Sequence, residues 1–222
     1  MSGLTTDQLS DIKGYLDAKE LFHLDLRNEI IDHISEGISA GMMHQQLSFE
    51  DAFTIEKQKW HDDLQSHSSY WLGLLWMGPK IVIQKCVKHT KILYLKAALP
   101  ALAALLFFYS TENLWKEQIL IILNSLVGIV YIGLFLLLLI LKYKIKQTGY
   151  QTSFSFLYKI NAISFSFLLV LYNPILSNIF SFIKEGSISY VALFIHAFTH
   201  AFSWFFVQFY KAHSQIQKIK MA

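Results

Sequence analysis

One cysteine and three prolines stand in 222 residues. The single thiol, Cys86, rules out an intrachain disulfide, so cysteine pairing does not report a compartment. Acidic side chains are almost missing from the rest of the chain once residue 66 is passed: only Glu112, Glu117 and Glu185 occur there. No Gly-rich phosphate loop, nucleophile elbow or HExxH is present, which removes the familiar signatures of nucleotide, acyl-transfer and zinc-protease chemistry. Met1–Glu20 has no apolar stretch of the kind a cleavable signal carries, so the expectation is that the first hydrophobic span directs insertion itself.

What the chain does have is apolar bulk. It is 54% hydrophobic, with a mean hydropathy of +0.37, too apolar for an ordinary soluble domain and long enough for a small head plus a few membrane spans. Charge is divided unevenly. Residues 1–66 hold five Lys/Arg against thirteen Asp/Glu, a net of −8, and the remainder holds fourteen Lys against three Glu, a net of +11. The basic part suits anionic lipid headgroups. The acidic head argues against nucleic-acid binding, which needs a positive surface.

The acidic head, 1–66, reads as three helices. Thr5 and Gln8 form a capping box, followed by Leu9, Ile12 and Leu16 at helical spacing. A second helix starts near Asp25 and carries Ile30, Ile34 and Ile38 at i, i+4 and i+8, with Gly41 as its stop signal. A third begins at Ser48, whose hydroxyl is placed to cap the Asp51 N–H, and buries Phe49, Ala52, Phe53, Trp60 and Leu64. Glu29, His33 and Glu36 share a helical face at i, i+4 and i+7, a spacing that permits a metal ion but is also what a solvated face looks like. The expectation is the solvated face.

Glu29-Ile30-Ile31-Asp32-His33-Ile34, then Leu47-Ser48-Phe49-Glu50-Asp51-Ala52-Phe53, then Trp60 resemble the small helical prefix (HAAS-like) domain that precedes transmembrane segments in bacterial membrane proteins. The version here is most similar to short four-helix membrane proteins of Bacteroidetes-type bacteria. The resemblance covers Leu24 to about Leu64, less than a fifth of the chain, and Gln46 stands where the family usually has Gly. It implies a cytoplasmic sensing or adaptor head and a motif set of Glu29, Asp32, His33, Ser48 and Trp60. It implies no catalytic residue.

Residues 67–91 form a basic joint. Trp71 and Trp76 lead to Gly78-Pro79 and then to Lys80, Gln84, Lys85, Lys88 and Lys91, with Ile81, Val82, Cys86 and Val87 mainly on the other side. Tryptophans beside a lysine-faced helix suit the headgroup plane. The four lysines are expected to face headgroups or to dock the acidic head. The sequence leaves open whether 80–91 is a separate interfacial helix or runs on into the first span. Cys86 falls on the apolar side, as a small buried residue does.

The membrane domain, 92–222, reads as four helices near 92–109, 119–141, 160–182 and 189–210, ending in a basic tail. Ile119–Leu141 is the clearest, since 23 uncharged residues span about 35 Å as a helix against a hydrocarbon core of about 30 Å. Pro100 is expected to kink the first span and Asn173-Pro174 to open the third. A cytoplasmic loop of roughly 18 residues separates the second and third, with Phe154 and Phe156 turned toward lipid. Lysines cluster before the first span, between the second and third, and after the fourth, which predicts cytoplasmic N- and C-termini; the resemblance implies that the membrane is a bacterial inner membrane.

Polar groups within the spans define the candidate site: Asn161, Asn173 and Ser177 on the third helix, and His196, Thr199, His200 and Ser203 on the fourth. Both stripes must turn inward, because unpaired polar groups are costly in hydrocarbon, and an Asn173–His200 hydrogen bond is expected. His196 and His200 are weak metal or haem candidates, since two imidazoles do not complete a site and no carboxylate lies in any span. Polar packing is the expected role.

The sequence thus predicts an all-α protein: a three-helix cytoplasmic head, a basic amphipathic interfacial joint and a four-helix transmembrane bundle. The favoured function is a non-enzymatic signalling, adaptor or accessory subunit whose head binds a partner. The alternatives are a small transporter or channel subunit with a polar path on the third and fourth helices, and a membrane metal or redox protein using His196 and His200. Expected partners are membrane lipids, a protein in the membrane or cytoplasm, and further copies of the chain; no cofactor is expected.

Overall fold

The computed structural model describes residues 3–174, 183–184 and 187–221. The fold is all-α, with seven helices among the described residues and two very short β-hairpins. The chain divides into two compact units.

The first unit holds the residues up to His89, Tyr150–Phe156, and the end of the chain from Ile216. Helix α1 (Thr6–Ala18) opens with the Thr5–Gln8 capping box and buries Ile12 and Leu16. Helix α2 (Leu24–Gln45) buries Leu26, Ile30, Ile34 and Ile38, one residue per turn. It ends at Gln46, which adopts the left-handed conformation with φ 54° and bonds back to Gly41. A side chain there is strained, which is why glycine is the usual residue at such a cap. Helix α3 (Phe49–Lys59) starts from the Ser48 hydroxyl, which accepts from Asp51 N at 3.1 Å. It buries Ala52 and Phe53, while Trp60 ends the helix half-buried. Glu56 is also buried; it takes Lys59 at 2.5 Å and rests against Gly37, where a Cβ would collide with its carboxylate.

Strands β1 (Ser66–Ser68) and β2 (Met77–Pro79) then pair antiparallel, Ser66 opposite Pro79 and Ser68 opposite Met77. The apolar composition of 70–77 gives no sign of this hairpin in a reading by periodicity. Helix α4 (Lys80–Ser110) follows directly as one element of 31 residues. The joint is therefore continuous with the first span, and a separate interfacial helix is ruled out. The first N–H groups of α4, which no helical carbonyl can reach, are taken by the head: Lys80 N by the Gln65 carbonyl at 2.9 Å and Ile81 N by Asp63 at 3.0 Å. Pro100 lies inside this helix.

The second unit comprises Thr90–Gly149 and Leu157–Gln215. After a 3-10 turn (Glu112–Leu114) come α5 (Glu117–Gln147), α6 (Ser153–Leu171) and α7 (Tyr190–Met221). A minimal hairpin, β3 (Ile183–Lys184) with β4 (Ser187–Ile188), precedes α7. An aromatic spine on α7, Phe198, Phe202 and Phe206, packs against Tyr94 of α4 and against Tyr158 and Phe165 of α6. Near the other end, Leu120, Ile188, Ala192 and Leu193 form a second apolar cluster with Phe108 and Trp115.

Four boundaries depart from expectation. Helix α5 runs six residues past Leu141, to Gln147. Helix α6 begins at Ser153, seven residues before Ile160, so five residues, 148–152, replace the expected long loop. It ends at Leu171 because Pro174 disfavours helical geometry at Asn173; the expected continuation over 175–182 lies outside the described residues. Helix α7 runs on past Tyr210, so the basic tail is helical rather than a loose extension. Four helices, α4, α5, α6 and α7 as far as Ile216, are long and apolar enough to cross a membrane, the signature of a multi-pass membrane protein. Leu95, Leu99, Leu102 and Leu106 lie exposed along α4, as lipid-facing positions do.

Candidate functional site

In the first unit the Asp25 carboxylate ties the head to α4 and α6. It stands in the first turn of α2 with its side chain only 7% exposed. One oxygen, Oδ1, accepts the Ser153 N–H at 2.8 Å. The other, Oδ2, accepts the Ser153 hydroxyl and takes Lys85 Nζ of α4 at 3.0 Å. Ser153 is the first residue of α6, so a head carboxylate caps a helix 128 residues away in sequence. An N-terminus is where a negative charge is favoured, since its N–H groups are unpaired and the helix dipole is positive there. Thr152 completes the cap: its hydroxyl accepts from Ser155 N at 3.1 Å. Burial alone would raise the Asp25 carboxyl, but the two Ser153 bonds and the Lys85 ammonium outweigh it and hold the group below the usual aspartate range.

Around this latch the packing is tight. Leu24 N bonds the Gln151 carbonyl at 2.9 Å. Cys86 is buried and its Sγ donates to the Ser153 carbonyl at 3.8 Å. His23, just before α2, is buried edge-on against Phe156, and neither ring nitrogen has a hydrogen-bond partner among the described residues. Desolvation, partly opposed by Asp25 and reinforced by Lys85, pushes its imidazole below the ordinary value of 6.5. Phe154 and Phe156, expected to face lipid, pack instead on His89 and on His23 and Trp76. The short 148–152 connection holds them against α4 and the head.

The joint lysines divide. Lys80 forms an ion pair with Asp62, and Lys85 with Asp25, while Lys88 and Lys91 lie exposed. Trp71 is half-exposed and Trp76 packs edge-to-face on Phe156, ring centroids 6.1 Å apart. Glu29, Asp32 and His33 of the head motif are exposed, as is Glu36 on the same helix. His33 stacks on Trp60 and reaches Glu36 at 3.9 Å. Among the described residues no three His, Cys, Asp or Glu side chains converge in a metal-like cluster.

No family model, curated protein or solved structure matches the chain. Function therefore rests on the geometry of the chain itself.

The intramembrane residues of the second unit converge on Tyr131 of α5, which the sequence reading did not single out. Its hydroxyl meets His196 Nδ1 at 2.6 Å and also bonds Thr199, and its ring lies 5.2 Å from that of His200. Tyr131, His196 and Thr199 are all buried. The expected Asn173–His200 pairing gives way to other acceptors: Asn173 donates to the Gly128 carbonyl at 3.2 Å, and His200 donates from Nδ1 to the His196 carbonyl at 2.7 Å. Ser203 bonds the His200 carbonyl and Asn161 the Leu157 carbonyl, each within its own helix. Ser177 lies outside the described residues. A tyrosine alone in an uncharged run carries no sequence mark of the helix it will face, which is why Tyr131 escaped notice. Asp25 was visible only as a helix start, and Ser153 only as a small residue before an aromatic run.

Proposed function

We propose that this chain is a bacterial inner-membrane signalling, adaptor or accessory subunit whose head binds a protein partner on the cytoplasmic side. The observation that carries the proposal is the Asp25 latch. One head carboxylate bonds the first residue of α6 and a lysine in the second turn of α4, so an event that shifts α2 changes the capping of one membrane-crossing helix and the charge pairing of another. The exposed acidic strip Glu29, Asp32 and Glu36 on α2 suits a partner with a basic surface. Lysine placement supports cytoplasmic termini, and the resemblance of Leu24–Leu64 to a prefix domain supports a sensing head. The Tyr131–His196–Thr199 chain satisfies its own polar groups, which supports packing between helices.

Affinity capture of the full chain from native membranes tests this. A stoichiometric protein should copurify and be lost on the charge reversal Glu29→Lys, Asp32→Lys, Glu36→Lys while the chain stays folded. A second reading, a small transporter or channel subunit, draws on the same buried polar groups of α5, α6 and α7. It would be favoured by substrate flux from pure protein in liposomes that is lost in Asn173→Ala or His200→Ala.

A further inference from the structure

The loop between β1 and β2 holds no charged side chain from Ser68 to Gly78. It is a built loop, with turn bonds from Leu72 N to the Ser69 carbonyl at 3.1 Å and from Trp76 N to the Gly73 carbonyl at 3.0 Å. Gly73, at φ 92°, supplies a backbone conformation that side chains rarely adopt. Two residues point inward: Leu72 is buried, and Trp76 packs on Phe156. Those anchors turn the others out. Leu75 is 96% exposed and Tyr70 86%, and Trp71, Leu74 and Met77 are exposed beside them. Five large apolar side chains presented from one hydrogen-bonded loop are what an interaction surface looks like, not scattered surface residues.

The contacts of the loop point to what covers it. Helix α4 has 31 residues, and a hydrocarbon core of about 30 Å takes about 20 of them. Counting back from Ser110, the head-side edge of the core falls near Lys91. Phe154 packs on His89, two residues from that edge, and Phe156, which touches Trp76, is two residues further along α6. Through Phe156 and Phe154 the loop is thus tied to the start of α6 and to the turn of α4 that leads into the span. Lys88, next to His89, is exposed and suits anionic headgroups.

We propose that the Tyr70–Met77 loop is a membrane-interface element whose Tyr70, Trp71, Leu74, Leu75 and Met77 side chains enter the headgroup–acyl boundary of the leaflet beside the head. Aromatic and leucine side chains carried next to lysines are the composition that this boundary selects. The loop then fixes the height of the head against the bilayer from a point separate from α4 itself, and does so whether or not a partner protein binds.

The test uses the full chain, with Cys86→Ala, in vesicles of phosphatidylcholine and phosphatidylglycerol. A nitroxide is placed at Leu75→Cys, at Tyr70→Cys and, as an aqueous reference, at exposed Thr54→Cys. Collision rates with oxygen, which concentrates in lipid, and with a water-soluble nickel chelate are then compared. At positions 75 and 70 oxygen access should rise and nickel access should fall several-fold relative to position 54. Nickel access equal to that at position 54 would place the loop in water and overturn the proposal. Shielding from both reagents would also overturn it, because the covering surface would then be protein, such as a second copy.

Discussion

Replacing Asp25 by alanine removes three interactions at one stroke: the acceptor for Ser153 N–H, the acceptor for the Ser153 hydroxyl, and the partner of Lys85. Losing an N-terminal cap costs about 1 kcal/mol. Breaking a buried ion pair by removing one partner costs about 3–5 kcal/mol, and Lys85, still 30% exposed, places this pair at or below the lower end of that range. The two are not additive, since the same carboxylate serves both, and about 3 kcal/mol is expected for local opening. That corresponds to an approximately 100-fold loss of amide protection, at 1.4 kcal/mol per factor of ten. Hydrogen exchange on the full chain in nanodiscs, followed at Ser153–Phe156 and at the start of α2, measures it. Asp25→Asn keeps an acceptor for the Ser153 N–H but puts an amide donor where Oδ2 takes the Ser153 hydroxyl and Lys85, so it should fall between wild type and alanine. The acid dependence has a defined sign. A carboxyl held below its ordinary value of 3.8 contributes stability present above that pH and lost as pH falls through the lower folded value. The loss should vanish in Asp25→Asn. If Asp25→Ala exchanges within about threefold of wild type at these amides, a shift under about 1 kcal/mol, the latch does not hold the helices as described.

Gln46→Gly should stabilise the last turn of α2 by about 1 kcal/mol, because Gln46 occupies left-handed space at φ 54°; hydrogen exchange there should slow by about fivefold. His23→Phe removes two unpartnered buried nitrogens, so protection of the Leu24 amide should hold or increase. In wild type that protection is full above 6.5 and lost as pH falls below it, since the folded imidazole is held below its ordinary value; the phenylalanine variant should show no such dependence. Tyr131→Phe strips the hydroxyl from His196 and Thr199 and should cost about 0.6–1.7 kcal/mol in denaturant unfolding of the solubilised chain. A flux phenotype without that loss of stability would favour transport over packing.

Element type was legible because periodicity reports burial on one chain at a time. Ile30, Ile34 and Ile38 are buried in a row, and the Thr5 and Ser48 caps form as read. What periodicity does not carry is partnership between distant segments. Ser153 starts a helix seven residues before the apolar run at Ile160 because Asp25, far away in sequence, satisfies its N–H. The polar stripes of α6 and α7 were legible as stripes, but their partners, the Tyr131 hydroxyl and the Gly128 carbonyl, sit in a run with no mark of their role. The hairpin at 66–79 was hidden for the converse reason: its strands are three residues each, too short to show alternation, and the loop they support is uniformly apolar.

The most direct test of coupling through Asp25 compares the partner-bound complex captured from native membranes with the chain alone. Hydrogen exchange is read at α2 and at Ser153–Phe156 in each. A partner seated on the Glu29–Glu36 face should protect α2 and also change exchange at Ser153–Phe156 by about tenfold, the size of an ordinary allosteric coupling. Protection of α2 with exchange at Ser153–Phe156 unchanged would contradict it.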